Sequence, residues 1–197
     1  HAALCDKLGA TATVANLPAS AFLFGNFAPI LFSWLVPHRL ERSILVVSNS
    51  VTGILMALVA AALFFPLSDQ IRIGVVVGQG LILGVAASVS QVFMFQCLGR
   101  GTTELGRARA LKLTFTLGPI AAVTGSLAAQ FILQGGIATL RYPSDFACLY
   151  LISVPYLAII AWLSSRYDLL PIEDEPRLPF YDFMKDSFHH FLSFRPL

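Results

Sequence analysis

The chain has 197 residues, of which 56% are hydrophobic and only 12% are charged. Soluble proteins carry roughly 25% charged residues, so this composition excludes an ordinary water-soluble domain. The formal net charge is +2, and in a membrane protein the positions of the charges carry more information than their sum. We expect the lipid bilayer as a partner and no nucleic acid.

Five stretches of the chain contain no charged side chain. A hydrocarbon core about 30 Å thick requires roughly 20 apolar residues in a helix, and each stretch is long enough. The runs are apolar on all sides, unlike the alternating strands of a membrane barrel. The predicted spans are residues 8–38, 43–68, 73–99, 113–140 and 146–165. The sequence therefore predicts an all-α, polytopic transmembrane helix bundle over residues 1–170.

The Lys and Arg residues are distributed unevenly between alternate connections. One set of connections holds ten of the thirteen basic residues, and the other holds only Lys7, Arg72 and Arg141. The positive-inside rule assigns the richer set to the cytoplasm. The charge pattern supports five crossings of the cell (inner) membrane, with residue 1 outside and residue 197 in the cytoplasm.

Proline residues lie inside several of the predicted spans. Pro18 and Pro29 in the first span and Pro155 in the fifth remove backbone donors. In lipid this is tolerated only where neighbouring helices or cavity water satisfy the freed carbonyl groups. We therefore expect a packed bundle.

The third predicted span contains two interleaved glycine pairs, Gly74 with Gly78 and Gly80 with Gly84. Small residues four positions apart allow a second helix backbone to approach closely. The alternative is that these residues reflect only the general abundance of glycine in membrane helices.

Residues 171–197 differ in character from the spans and are predicted to form a cytoplasmic linker. An acidic, proline-containing segment at 171–176 precedes aromatic residues with a helical spacing. Such an amphipathic helix typically lies in the membrane interface; a disordered tail is the alternative. The predicted apolar face comprises Phe180, Phe183, Met184, Ser187, Phe188 and Phe191.

The connection at residues 99–112 and the span after it carry a further pattern. They contain the run Gly106-Arg107-Ala108-Arg109-Ala110, followed by Gly118-Pro119 and Gly125. This arrangement resembles the amino-terminal half of major facilitator superfamily transporters, in which a Gly-Arg-Ala-like segment precedes a fifth helix with a Gly-Pro pair. The resemblance implies that the five spans are helices two to six of a six-plus-six helix fold, and that residues 171–197 are its central linker. It also implies that the chain is part of a longer protein, with one helix before residue 1 and a second half after residue 197.

The signature loop of that family, between its second and third helices, corresponds to residues 33–42. The loop length and Arg42 match the family pattern. Ser33, Pro37 and Leu40 stand where the family has Gly, Asp and Gly. The subfamily therefore stays open.

Enzyme chemistry inside a membrane would require a nucleophile with a base, paired carboxylates or a metal cluster at bilayer depth. The histidines at positions 1, 38, 189 and 190 lie outside the predicted spans or at their edges, and no acidic residue lies inside a span. We therefore expect no catalytic site and no cofactor. His189 and His190 are adjacent and do not share a helix face, so we expect no metal site.

The sequence favours secondary active transport of a small organic solute by alternating access. Uncharged polar residues at mid-depth suit a neutral or amphiphilic substrate, although the same groups could form hydrogen bonds between helices. The candidate cavity residues are Asn16, Asn26, Ser88, Gln91, Thr124 and Gln130. The alternatives are a channel-like bundle, disfavoured because no filter loop is evident, and a non-transporting structural or assembly protein.

Two further sets of residues have predicted roles in packing and gating. Gly118, Pro119 and Gly125 are expected to permit close packing and bending of the fourth span. Arg39, Arg42, Arg107 and Arg109 are expected to form a cytoplasmic gate. No ionisable residue lies at mid-depth, so a coupling proton or sodium ion would bind elsewhere in the transporter. Gly118-Pro119 with Gly125 resembles the fifth-helix motif of exporters, and this resemblance implies efflux, while the substrate, the direction, the coupling ion and the oligomeric state stay open.

Overall fold

The structure, a computed structural model, describes residues 1–137, 140–171 and 178–193. Its secondary structure within these ranges is helical, as the sequence predicts. A short 3-10 helix covers His38–Leu40. The α-helices are α1 Ala2–Lys7, α2 Ala12–Gly25, α3 Ala28–Leu35, α4 Glu41–Phe64, α5 Asp69–Gly101, α6 Glu104–Leu133, α7 Ser144–Ser164 and α8 Phe180–Ser193.

Five helical segments within the described ranges are long and apolar enough to cross a membrane. They are Ala12–Leu35, which combines α2 and α3, and then His38–Phe64, Asp69–Gly101, Glu104–Leu133 and Ser144–Ser164. A multi-pass membrane protein of the all-α class follows from their length and composition.

The fourth span differs most from its predicted bounds of 113–140. Helix α6 begins at Glu104, and the Thr103 hydroxyl caps it by accepting a hydrogen bond from the Gly106 amide at 3.2 Å. The helix ends before Gly135, whose φ of +82° favours glycine. The charge-free stretch marks only the part of a helix that fits the hydrocarbon layer. The helix itself can extend into water, because its charged residues are solvated there.

The first span is two helices rather than one. Helix α2 ends at Gly25, and α3 begins at Ala28 with Pro29 in its first turn. Pro29 has no amide hydrogen to donate to the Gly25 carbonyl four residues earlier, and its ring crowds that carbonyl. The amides of Asn26 and Phe27 instead bond to carbonyls three residues back, at 3.1 and 3.3 Å. A proline in the sequence therefore explains the position of the break.

Helix α4 lies between α5 and α7, and α5 also packs against α2. Two apolar clusters fill the bundle. One joins α1, α2, α4, α5 and α7 around Cys5, Val59 and Phe146. The other joins α4 and α5 around Leu45 and Phe93.

Helix α6 takes almost no part in this packing. Of its thirty residues, all of them described, only Ile132 is buried. Leu133 packs against the first apolar cluster as a partly buried neighbour. The body of α6 therefore presents its surface to whatever surrounds the bundle.

The connections meet at two opposite ends of the bundle in the order that the charge pattern predicts. At one end, Arg42 donates to the Tyr167 carbonyl at 3.1 Å, and Arg100 donates to the Leu170 carbonyl at 2.6 Å. At the other end, the Lys7 ammonium lies 5.1 Å from the centre of the Phe146 ring. The connections that are rich in arginine thus share one end, which we call the arginine end.

Candidate functional site

The break in the first span lies against α5, where backbone meets backbone. A Cβ added to Gly80 would lie 2.7 Å from the Pro18 Cα, and one added to Gly84 would lie 2.5 Å from the Phe22 carbonyl oxygen. No larger side chain fits without moving the main chain. Of the two predicted glycine pairs, only this one makes a close contact, because Gly74 and Gly78 face open space among the described residues.

Ser88 connects α5 to the broken span. Its buried hydroxyl lies 2.8 Å from the Gly25 carbonyl oxygen, the group that Pro29 leaves without a helical donor, and 2.7 Å from the Gly84 carbonyl oxygen. A hydroxyl has a single hydrogen, so it donates to one of these acceptors at a time. Ser88 is thus placed to donate to a carbonyl group that the broken span leaves without a helical donor.

The other predicted cavity residues near this break are exposed. Asn26 lies in the break itself, and Gln91 lies one turn after Ser88 on α5. Asn16 is also exposed and donates its side-chain amide to the Ala12 carbonyl of its own helix at 2.9 Å. Asn26 is therefore the chain neighbour of Gly25, which Ser88 contacts, and Gln91 follows Ser88 by one turn of α5, while Asn16 lies more than two turns away along α2.

The remaining predicted residues of the fourth span lie on the exposed helix α6. The Thr124 hydroxyl donates to the Ile120 carbonyl of the same helix at 2.9 Å, and Gln130 is exposed. A Cβ on Gly118 or Gly125 would meet no atom of the described chain within 4 Å. The structure does not bring these residues to the break, and the roles assigned to them and to Pro119 stay predictions.

A buried polar cluster, which sequence reasoning missed, joins three spans. Asn49 on α4 accepts a hydrogen bond from the Ser90 hydroxyl at 2.8 Å, and its amide nitrogen lies 3.5 Å from the Ser164 oxygen. These residues are 41 and 115 positions apart in the sequence. The presence of polar residues inside predicted spans could have indicated such a cluster. Their spacing in the sequence, however, does not show which helices contact one another.

The arginine end holds a buried ion pair that sequence reasoning also missed. Glu41 is only 2% exposed and lies 2.7 Å from the Arg100 guanidinium and 2.6 Å from the His38 ring. Arg100 also donates to the carbonyls of His38 and Leu170 at 2.7 and 2.6 Å. This cluster ties α4, α5 and the segment after α7 together.

The four arginines predicted to form a gate also lie at or near this end. Arg42 binds the Tyr167 carbonyl, and Arg107 donates to the Gly99 carbonyl at 2.8 Å. Arg39 lies in the 3-10 helix, and Arg109 is exposed on the first turns of α6. Arg42 and Arg107 thus anchor backbone carbonyl groups, and whether the set acts as a gate stays a prediction.

Two titratable groups outside the spans have pKa values that are raised by burial. Burial raises the pKa of the Cys5 thiol, with a small opposing effect from the N-terminal ammonium. Burial also raises the pKa of Tyr142. Within the described ranges, no group of three His, Cys, Asp or Glu residues could hold a metal ion.

Comparison with known proteins gives no family for this chain. No protein-family model matches it, and no match was found among curated proteins or solved structures. Function is therefore inferred from the geometry of the spans.

Proposed function

We propose that this chain forms part of a secondary transporter, which moves a small uncharged organic solute across the membrane by alternating access. The observation that carries the proposal is the break in the first span at Asn26 and Phe27. At a rise of 1.5 Å per residue, this break lies about 21 Å from Ala12 and about 13 Å from Leu35, well inside a bilayer core about 30 Å thick. Transporters typically form their binding sites from such discontinuous helices.

The polar groups around the break support an uncharged substrate. Asn26 lies in the break and Gln91 follows Ser88 by one turn of α5; both side chains are exposed, and each offers both a donor and an acceptor. No Asp, Glu, Lys or Arg lies between Leu8 and His38 in the first span. A solute with hydroxyl or amide groups could exchange its water contacts for these side chains without the cost of burying an unpaired charge.

The resemblance to the amino-terminal half of major facilitator superfamily transporters supports the same function. We propose that the exposed helix α6 packs against the remaining half of that transporter, and that Gly118, Pro119 and Gly125 allow it to bend during the transport cycle. The arginine end is cytoplasmic in this proposal, with Arg39, Arg42, Arg107 and Arg109 near the gate. Efflux is the favoured direction, and a proton or sodium ion would couple elsewhere in the protein.

Solute flux tests the proposal directly. The full-length product of the gene that encodes this chain would be reconstituted in liposomes and assayed with a panel of neutral and amphiphilic solutes under imposed ion gradients. We expect gradient-dependent flux of at least one solute. Flux that ignores both solute identity and gradient, or no flux across the panel, would contradict transport.

Two variants connect that flux to the break. Asn26→Ala and Gln91→Ala each remove one hydrogen-bonding group and are expected to lower the flux of the identified solute about tenfold, the effect of roughly 1.4 kcal/mol. Ser153→Ala is the matched control, because among the described residues the Ser153 hydroxyl bonds only to the Tyr150 carbonyl of its own helix, at 2.6 Å. Equal flux in all three variants would show that the substrate does not pass the break.

An assembly role is the second candidate, and the exposure of α6 favours it. A membrane protein whose purpose is to bind another would also present a free span. The same reconstitution separates the two functions, since an assembly protein gives no solute flux.

A further inference from the structure

An apolar groove separates α8 from the spans. Its volume is about 520 Å³, within the range of roughly 300 to 1,000 Å³ that is typical of small-molecule sites. Ile30 and Ser33 on α3 and Val92 on α5 line one wall, and Phe183, Ser187 and Phe191 on α8 line the other. The aromatic face that the sequence predicts for α8 thus faces the groove.

The wall formed by the spans extends into the hydrocarbon layer. Val92 precedes Arg100 by eight residues on one continuous helix, which is about 12 Å along the helix axis. The Ile30 side chain is 41% exposed at the same groove. The groove is therefore continuous with a surface of the bundle that contacts lipid.

Helix α8 is fixed at the mouth of the groove by contacts at its start. The Trp34 indole donates a hydrogen bond to the Leu178 carbonyl at 2.9 Å, and its ring meets the Phe180 ring edge to face at 5.3 Å. The charged residues of α8, among them Asp182 and Lys185, line a separate hollow on its other side. The groove itself offers only two serine hydroxyls as polar groups.

We propose that this groove binds an acyl chain of a membrane lipid, with α8 lying over the chain. The apolar walls of this groove offer water few hydrogen-bonding partners, so water is a poor occupant of it. A charged or strongly polar ligand would lose hydration without compensation. Hydrocarbon is abundant beside α3 and α5, and its transfer between bilayer and groove costs little because both are apolar. This inference does not depend on transport.

Photolabelling tests the proposal. The 197-residue chain would be placed in nanodiscs of a phosphatidylcholine that carries a diazirine in the middle of one acyl chain. After irradiation, labelled peptides would be mapped by mass spectrometry. We expect the label to concentrate on residues 29–33 and 183–191, several-fold above the exposed residues of α6. Labelling of these peptides at or below the level of α6 would overturn the proposal.

Two variants block the groove in different ways. Val92→Trp fills it from the α5 wall, and Ser187→Asp places a charge in it from α8, which lies outside the spans and leaves their packing intact. Each is expected to lower the labelling of residues 183–191 at least fivefold. Val47→Trp is the control, since Val47 is 56% exposed on α4, and it should leave that labelling unchanged.

Circular dichroism and gel filtration would establish that each variant is folded. If Val92→Trp does not fold, Ser187→Asp decides. Undiminished labelling in a folded variant would overturn the proposal, as would labelling that appears only when the diazirine is moved to the lipid headgroup.

Discussion

Helices α5 and α6 follow one another in the chain and have similar lengths of 33 and 30 residues, yet their surroundings are opposite. In the most apolar part of α5, 44% of the residues are buried, and in that of α6 none is. Both contain glycine, serine or threonine, and glutamine. The difference lies in the neighbours, because Gly80 and Gly84 of α5 meet the backbone of α2, whereas a Cβ at Gly118 or Gly125 of α6 would meet no atom of the described chain within 4 Å.

This contrast teaches that a small residue in a membrane helix marks a contact only when a complementary surface is present. Gly80 and Gly84 are matched to Pro18 and Phe22 across the interface. Gly118 and Gly125 have no such counterpart within the described residues. Paired substitutions, one in each helix, make the contrast measurable.

The largest effect is expected from the arginines at the end of α5 and the start of α6. Arg100→Ala leaves Glu41 buried without its cation, which should lower the free energy of unfolding by about 3 to 5 kcal/mol. Arg107→Ala removes an exposed side chain, so we expect less than about 1 kcal/mol. Unfolding in mixed micelles, followed by circular dichroism, measures both. Equal losses would mean that the cluster around Glu41 does not hold the arginine end together.

Glycine substitution should give the next largest effect. Gly84→Ala forces a methyl group against the Phe22 backbone and should cost about 1 to 3 kcal/mol of unfolding free energy. Gly125→Ala adds the same methyl group in open space and should change stability by less than about 0.5 kcal/mol, or raise it slightly through better helix propensity. The same unfolding assay compares them. A stable Gly84→Ala variant would contradict the close contact of α2 with α5.

The smallest effect is expected from two hydroxyl groups. Ser88→Ala removes the donor to the Gly25 carbonyl and should cost about 0.6 to 1.7 kcal/mol, the range for hydrogen bonds between membrane helices. Thr124→Val keeps the shape of a side chain that, within the part of the chain that the structure describes, bonds only to its own helix, and its cost should be smaller. Infrared spectroscopy with isotope-labelled Gly25 would detect the freed carbonyl in the first variant. An unchanged Gly25 band would show that Ser88 does not bind this group.

Much of the fold could be predicted from the sequence, because a membrane imposes strong local constraints. Spans are charge-free over a defined length, and the arginines gather at alternate connections, so five candidate spans and the placement of residues 39–42 at the same end of the bundle as the end of α5 follow without tertiary information. The helix bounds were less accurate. Glu104 and Arg107 lie inside α6 because a helix does not end where the hydrocarbon ends.

The contacts between helices could not be predicted in the same way. Nothing in the spacing of the four glycines of α5 distinguishes Gly80 and Gly84 from the other pair. Glu41 and Arg100 are 59 residues apart and lie in segments that were treated as connections. Asn26 and Gln91 are predicted from their polarity alone, and the contact of Ser88 with Gly25, which links α5 to the break at Asn26, became visible only in the structure.

The carbonyl group of Gly25 makes the effects of substitutions at two distant positions depend on each other. Replacing Pro29 by alanine would restore an amide that can close the helical turn onto this oxygen, and Ser88 would then be dispensable. Replacing Ser88 alone would leave the Gly25 carbonyl oxygen without a hydrogen-bond donor in an apolar environment. We therefore expect strong epistasis between positions 29 and 88, with each residue tolerated or required according to the identity of the other.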